Sequence, residues 1–312
     1  MHDIMIDAVG VTKTFGDVVA LDQVDLQARK GTVTALLGHN GAGKTTLVNI
    51  LSTVLPPDSG SARVAGYDAI RDGHRVRARI GLTGQFASVD EQLTGLHNLV
   101  VIARLLGAGK RQATARADEL LDLFDLADAG TRKVSTYSGG MKRRLDLAAS
   151  LVGHPDVVFL DEPTTGLDPT SRLGMWEIVE RLVDDGSTVL LTTQYLEEAD
   201  RLADSVTVLS KGRVVAAGTA TELKANVGQR TVALTVTDAA AVPAALTTLR
   251  AAGFDPIHEA PHRSITIPVE AANALAAVVR ALDSAGAEVA ELTLHEPTLD
   301  DVYLTLTHQT AA

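Results

Sequence analysis

The chain has 312 residues, a formal net charge of −11, no cysteine and 3% aromatic side chains. Its hydrophobic fraction of 46% is enough for packed cores and excludes wholesale disorder, and the length fits two domains at roughly 150 residues each. The absence of cysteine excludes a disulfide scaffold and thiolate chemistry, and the acid surplus argues against nucleic acid as a partner, because phosphate backbones require excess Lys and Arg.

The first seven residues carry two acids and no long apolar core, so no secretory leader is expected there. No apolar run approaches the ~20 residues that span a bilayer. Residues 31–38 form a short apolar run ending in glycine, which suits a buried strand. Residues 44–54 read as a helix stopped by Pro56 and Pro57. Helix formers dominate from about 87 to 151. Residues 156–161 form a second apolar strand, closed by an acid, and 187–193 and 205–210 are two more. Strands alternating with helices predict an α/β fold around a largely parallel, covered sheet.

The pattern changes near residues 220–229. Residues 226–312 carry ten acidic and four basic side chains and lack glycine-rich loops. Strands are expected at 231–237, 254–258, 263–268 and 287–294, and helices at 240–252 and 270–285. That order is βαββαβ, a small ferredoxin-like α+β domain. A last short helix is expected near Thr298, with Asp301 as its capping-box partner. The expected domains are therefore 1–225 and 226–312.

Three motifs carry chemistry. Gly38-His39-Asn40-Gly41-Ala42-Gly43-Lys44-Thr45 fits G-x-x-x-x-G-K-[ST], follows a predicted strand and opens a predicted helix. Its glycines let backbone amides turn inward, and with the helix N-terminus they form a nest for phosphates. Lys44 would neutralise the β- and γ-phosphates, and the Thr45 hydroxyl would bind Mg²⁺. The apolar run 157–160 delivers Asp161 and Glu162 at a strand's carboxyl end, where open α/β sheets place ligands. Asp161 would hold Mg²⁺ through water and Glu162 would polarise the attacking water. Ser138, Gly139 and Gly140 open a helix and offer a second anion site. In isolation, that segment would read as an N-cap alone.

Taken together, these motifs resemble the nucleotide-binding domain of ATP-binding cassette (ABC) transporters, a P-loop NTPase with a helical subdomain at about 87–152. The likeness covers about residues 4–225. Ser138-Gly139-Gly140 looks like the family signature, 23 residues before Asp161. Gln85 looks like the Q-loop glutamine at the metal, and Gly166-Leu167-Asp168-Pro169 looks like the D-loop. Phe15 looks like the aromatic that stacks on adenine, and Thr46 follows Thr45 in the phosphate-binding segment. The resemblance implies two ATP molecules with Mg²⁺ between two head-to-tail cassettes, hence a homodimer. Each signature then contacts the ATP held by the partner's phosphate loop. Gln194 stands where the family usually places a histidine. Its amide can donate to a γ-phosphate oxygen but cannot carry a proton, so it reads as a phosphate sensor or as the mark of a weakened site.

Residues 83–90, 192–200 and 297–304 resemble the daunorubicin and doxorubicin resistance ATPases. That branch implies an ATPase driving drug or antibiotic export through a separate integral-membrane permease, from the cytoplasmic side of the membrane. Importer cassettes share every motif above. The permease would dock on 87–135 in this family. Domain 226–312 shows no polar constellation, and either dimer support or regulation fits it. His97 and His154 lack metal spacing, Met141 and Trp176 read as packing residues, and the basic run 71–79 reads as a solvated face.

Overall fold

A computed structural model describes residues 3–84, 89–227, 230–258, 263–269, 273–284, 286–295 and 297–309. The chain separates into two compact units, Met1–Ala220 and Thr221–Ala312.

The first unit opens with two long strands, β1 (Ile4–Phe15) and β2 (Val18–Arg29), followed by β3 (Val33–Leu37) and α1 (Lys44–Leu51). Next come β4 (Ser59–Val64), β5 (Tyr67–Asp68), α2 (Gly73–Arg77) and β6 (Ile80–Thr83). A helical section holds α3 (Gly95–Leu105), α4 (Lys110–Leu123) and α5 (Gly139–Ser150). The unit ends with β7 (Val157–Asp161), α6 (Pro169–Asp184), β8 (Thr188–Thr193), α7 (Leu196–Leu202), β9 (Ser205–Ser210) and β10 (Arg213–Gly218).

These strands build two sheets. One is antiparallel, in the order β2-β1-β4-β5. The other runs β10-β9-β3-β8-β7-β6 and is parallel except for β10 at its edge. The parallel sheet matches expectation. The antiparallel sheet is an addition to it, because a register shift between Ala8 and Val11, at Gly10 with φ 59°, breaks the alternation of β1.

The apolar run of β7 is continuous because both of its faces are covered. Val158 and Leu160 pack into a core that includes side chains of α3–α6, while Val157 and Phe159 join the core under α1 and the antiparallel sheet. Each such buried side chain contributes about 1.5–3 kcal/mol. Helix α1 stops at Leu51, three residues before the expected end, where Ser52 caps it and Thr53 turns left-handed at φ 68°.

The second unit begins in α8 (Ala220–Val227) and continues with β11 (Arg230–Val236), α9 (Val242–Ala251), β12 (Ile257–His258) and β13 (Ser264–Val269). It ends with α10 (Ala274–Ser284), β14 (Val289–His295) and α11 (Leu299–Gln309). The sheet is antiparallel in the order β12-β13-β11-β14, and Val232, Leu234, Val236, Ile265 and Ile267 pack with α9 and α10 on one face. The βαββαβ order is as expected. Thr298 and Asp301 form the reciprocal capping box: the Thr298 amide donates to Asp301 Oδ2 at 2.9 Å, and the Asp301 amide donates to Thr298 Oγ1 at 3.2 Å.

Candidate active site

Parallel register sets the site. Leu37 of β3 pairs with Thr193 of β8, and Thr192 of β8 pairs with Asp161 of β7. Three strands therefore end at one level, and the phosphate-loop candidate leaves from β3 there.

In that loop Gly41 has φ 81° and Gly43 φ 108°, both left-handed. A Cβ on Gly43 would lie 2.5 Å from the Ala20 carbonyl oxygen, and one on Gly38 would lie 2.5 Å from that of Leu209. Glycine is needed at Gly43 for space as well as for rotation, and at Gly38 for space alone. Ala42 is buried, while His39, Asn40 and Gly41 face outward. Lys44 starts α1 and folds back over the loop, its Nζ donating to Gly38 O at 2.6 Å and His39 O at 3.2 Å. The same Nζ lies 3.2 Å from Glu162 Oε1.

Thr45 Oγ1 donates to Asp161 Oδ2 at 3.0 Å, and Thr192 Oγ1 donates to Asp161 Oδ1 at 2.5 Å. A hydroxyl beside a strand-end carboxylate fits Mg²⁺, which takes few protein oxygens and fills the remaining positions with water and phosphate. Thr46 follows within the first turn of α1. Glu162 has left-handed backbone at φ 50°, which costs about 1–2 kcal/mol for a residue with a Cβ. Its amide is held by Thr192 Oγ1 at 3.0 Å and Thr192 O at 3.2 Å.

Ser138 is the N-cap of α5 and accepts from the Met141 amide at 3.2 Å, so Gly139 and Gly140 supply the helix's first amides. Asp168 caps α6, accepting from Ser171 N at 3.0 Å and Ser171 Oγ at 2.6 Å. Those bonds hold its carboxyl below the ordinary aspartate range, with the hydroxyl contributing most. Phe15 ends β1 half exposed, with Lys13 Nζ 5.7 Å from its ring centre. Gln194 follows β8, the strand beside the one that ends in Asp161, and is partly exposed. Gln85 lies outside the described residues.

Three further residues beside the site have no role assigned by its motifs. Thr192 bonds both Asp161 and Glu162. Arg143, in α5, donates to carbonyls at the ends of β6 and β7. Burial lowers its guanidinium below the ordinary arginine value, and Asp146, Asp161 and Glu198 raise it. Glu198, in α7, is wholly buried and accepts from Trp176 Nε1 at 3.1 Å. Burial pushes its carboxyl up, against bonds from Thr193, Thr164 and Trp176 and the charge of Arg172. Their roles are tertiary, so a motif scan passes over them. Around Tyr67, Arg75 and Arg79 stack at 5.6 and 5.7 Å, so the basic run 71–79 has an aromatic partner in space that it lacks in sequence.

The family model for ABC transporters matches residues 21–165, and that for the C-terminal domain of DrrA1-3-like ATP-binding proteins matches 218–307. The chain is 52% identical to the daunorubicin resistance ATP-binding protein DrrA3 of Streptomyces coeruleorubidus, covering 98% of this chain and 97% of that one. It is 48% identical to the daunorubicin/doxorubicin resistance ATP-binding protein DrrA of Streptomyces peucetius, over 97% of this chain and 92% of that one. Among solved structures, the dimeric structure of MJ0796, a bacterial ABC transporter cassette, superposes with a TM-score of 0.63 at 26% identity. That match covers 69% of this chain and 98% of the other. A phosphate loop, a strand-end acid pair and a signature helix on one cassette, joined to a matching tail, leave one assignment: the chain belongs to the daunorubicin/doxorubicin resistance family of ABC transporter ATP-binding proteins and is an ATP-hydrolysing ABC ATPase.

Proposed function

We propose that this chain powers export of drug-like or antibiotic molecules as the ATPase of a separate membrane permease, acting as a homodimer on the cytoplasmic face. The observation that carries this reading is the near full-length likeness, tail included, to daunorubicin resistance ATP-binding proteins. No helix among the described residues is long and apolar enough to cross a membrane, so the spans would belong to the permease.

Lys44 and the loop amides of residues 38–46 hold the ATP phosphates, and Phe15 stacks on the base. Mg²⁺, held through Thr45 and Asp161 with Gln85, would neutralise phosphate charge. Glu162 orients the attacking water and takes its proton as the γ-phosphate bond breaks to give ADP and phosphate. Gln194 donates its amide to a γ-phosphate oxygen, and Asp168 orders the D-loop at the dimer seam. Ser138, Gly139 and Gly140 meet the γ-phosphate of the ATP held by the second copy. Positioning and preorganised charge supply most of the catalysis in this chemistry.

A groove of about 750 Å³ lies between β6 and the helical section, lined by Ile80, Leu82, Leu106, Ala108, Arg116 and Val152. Leu105 and Leu106 beside it are 81% and 62% exposed. We assign it to the permease. Residues 226–312 would support the dimer or regulate it.

The test is co-purification with the neighbouring permease, followed by daunorubicin-stimulated ATPase in liposomes. Stimulation that vanishes with the Glu162→Gln variant is expected. Turnover indifferent to every amphiphilic drug tried would remove the export assignment. Deleting 226–312 should leave ATP binding and weaken dimerisation or transport.

A further inference from the structure

We propose that Arg143 is a positioning residue for ATP hydrolysis: from the signature helix it clamps the Glu162 backbone, so the carboxylate's place depends on that helix. The proposal rests on the reading of Glu162 as the water-orienting group.

Four main-chain carbonyls converge on this one guanidinium. Nη1 donates to Gly84 O at 2.7 Å, Nη2 to Asp161 O at 3.1 Å and to Glu162 O at 3.2 Å, and Nε to Pro163 O at 2.9 Å. Three of those carbonyls are consecutive, at the point where the chain leaves β7 and Glu162 turns left-handed. Thr192 holds the Glu162 amide from one side. Arg143 holds the Glu162 carbonyl from the other. The peptide units on both sides of Glu162 are thus fixed, which sets the point and direction from which its side chain leaves the backbone.

Only a planar fork can do this. Arginine offers five N–H donors in one plane, while the lysine ammonium has three and no plane. The neighbours in sequence face elsewhere: Lys142 pairs with Glu91, and Arg144 donates to Phe124 O at 3.1 Å. Of the three consecutive cations, only Arg143 is spent on the hydrolytic segment. The first turn of α5 also abuts the D-loop helix. A Cβ on Gly140 would come within 2.8 Å of Ser171 Oγ, the group that bonds Asp168. A displacement of α5 is therefore felt by Glu162 through Arg143.

The experiment is a double-mutant cycle on the full-length chain. Single-turnover hydrolysis of Mg²⁺-ATP and the Kd for ADP are measured for Arg143→Gln, Arg143→Lys, Glu162→Gln and the pair Arg143→Gln with Glu162→Gln. Arg143→Gln should lower the hydrolysis rate about 10²-fold, the scale of a misplaced catalytic group. ADP affinity should stay within about threefold, since the phosphate loop is untouched. Arg143→Lys should fall between, and it carries the cycle if the glutamine variant does not fold. In the Glu162→Gln background the arginine substitution should cost nothing further, because it acts through that carboxylate. Losses that multiply, a parental rate in Arg143→Gln, or an affinity loss matching the rate loss would each overturn the proposal alone. Parental hydrolysis by Glu162→Gln would overturn the Glu162 reading and this proposal with it.

Discussion

Lys44 Nζ and Glu162 Oε1 lie 3.2 Å apart, with the lysine 4% and the glutamate 11% exposed. The proposed phosphate-binding cation and the proposed hydrolytic carboxylate are thus each other's counterion, while two loop carbonyls hold the same ammonium. On the proposed roles, phosphate competes with these three acceptors for Lys44, and its arrival frees Glu162 for water. The two residues should then fail differently. Glu162→Gln is expected to keep nucleotide affinity within about threefold and to lower kcat by roughly 10²–10³. Lys44→Ala should raise the ATP Kd by at least about tenfold, because a charge-assisted contact is lost. Fluorescent-nucleotide titration with steady-state turnover separates the two, and equal affinity losses would contradict this division of labour.

Glycine positions give a stability contrast. Gly43→Ala forces a Cβ to 2.5 Å from the Ala20 oxygen at a φ of 108°, so it should abolish ATP binding and cost roughly 2–3 kcal/mol. Gly174, inside α6, has ordinary helical backbone, and a Cβ there would meet nothing within 4 Å. Gly174→Ala should raise stability by about 1 kcal/mol with turnover unchanged. Urea denaturation reads both, and a destabilised Gly174→Ala would show that α6 needs its glycine for another reason.

Much of this site is legible in the chain because its key residues sit where local patterns change. The apolar run 157–160 ends in Asp161, and the glycine loop sits between a strand and a helix. Chemistry and punctuation coincide there. The remainder depends on partners far off in sequence. Arg143 reads as the middle of an ordinary basic run, yet its acceptors are 18 to 59 residues away. Strand β1 pairs with β4 across Thr12 and Ser59, a partnership that no local window contains. Its alternation also breaks at Gly10. The second unit is readable as βαββαβ because its strands are short and regular.

Thr192 makes a sharper case, since one hydroxyl serves both Asp161 and Glu162. It donates to Asp161 Oδ1 and accepts from the Glu162 amide. Thr192→Val keeps the volume and removes both bonds, leaving a carboxylate oxygen buried without this donor. The expected loss is about 1–3 kcal/mol in stability and roughly tenfold in kcat. Thr193→Val is the control: that hydroxyl accepts from Tyr195 N at 2.9 Å and bonds Glu198, on the side away from Asp161 and Glu162. If the two variants hydrolyse ATP equally, Thr192 has no special share in the site.

Glu198 should make stability depend on pH in a particular direction. Its carboxyl is raised above the ordinary 4.5 chiefly by burial, so the native chain keeps a proton that the unfolded chain has released. Across that window the unfolded state binds fewer protons, and stability falls as pH rises. The contribution is complete below 4.5, is lost as pH climbs through the raised native value, and changes no further above it. Glu198→Gln keeps an oxygen for Trp176 Nε1 and has no proton to lose. Its stability relative to the parent should therefore rise across the window and then level off. Trp176 is the only tryptophan in the chain, so its emission reports on this contact directly. Urea midpoints from about pH 4 to pH 9, followed by that emission, give the comparison. Parallel profiles for parent and variant would mean that Glu198 holds its proton equally well in the native and the unfolded chain.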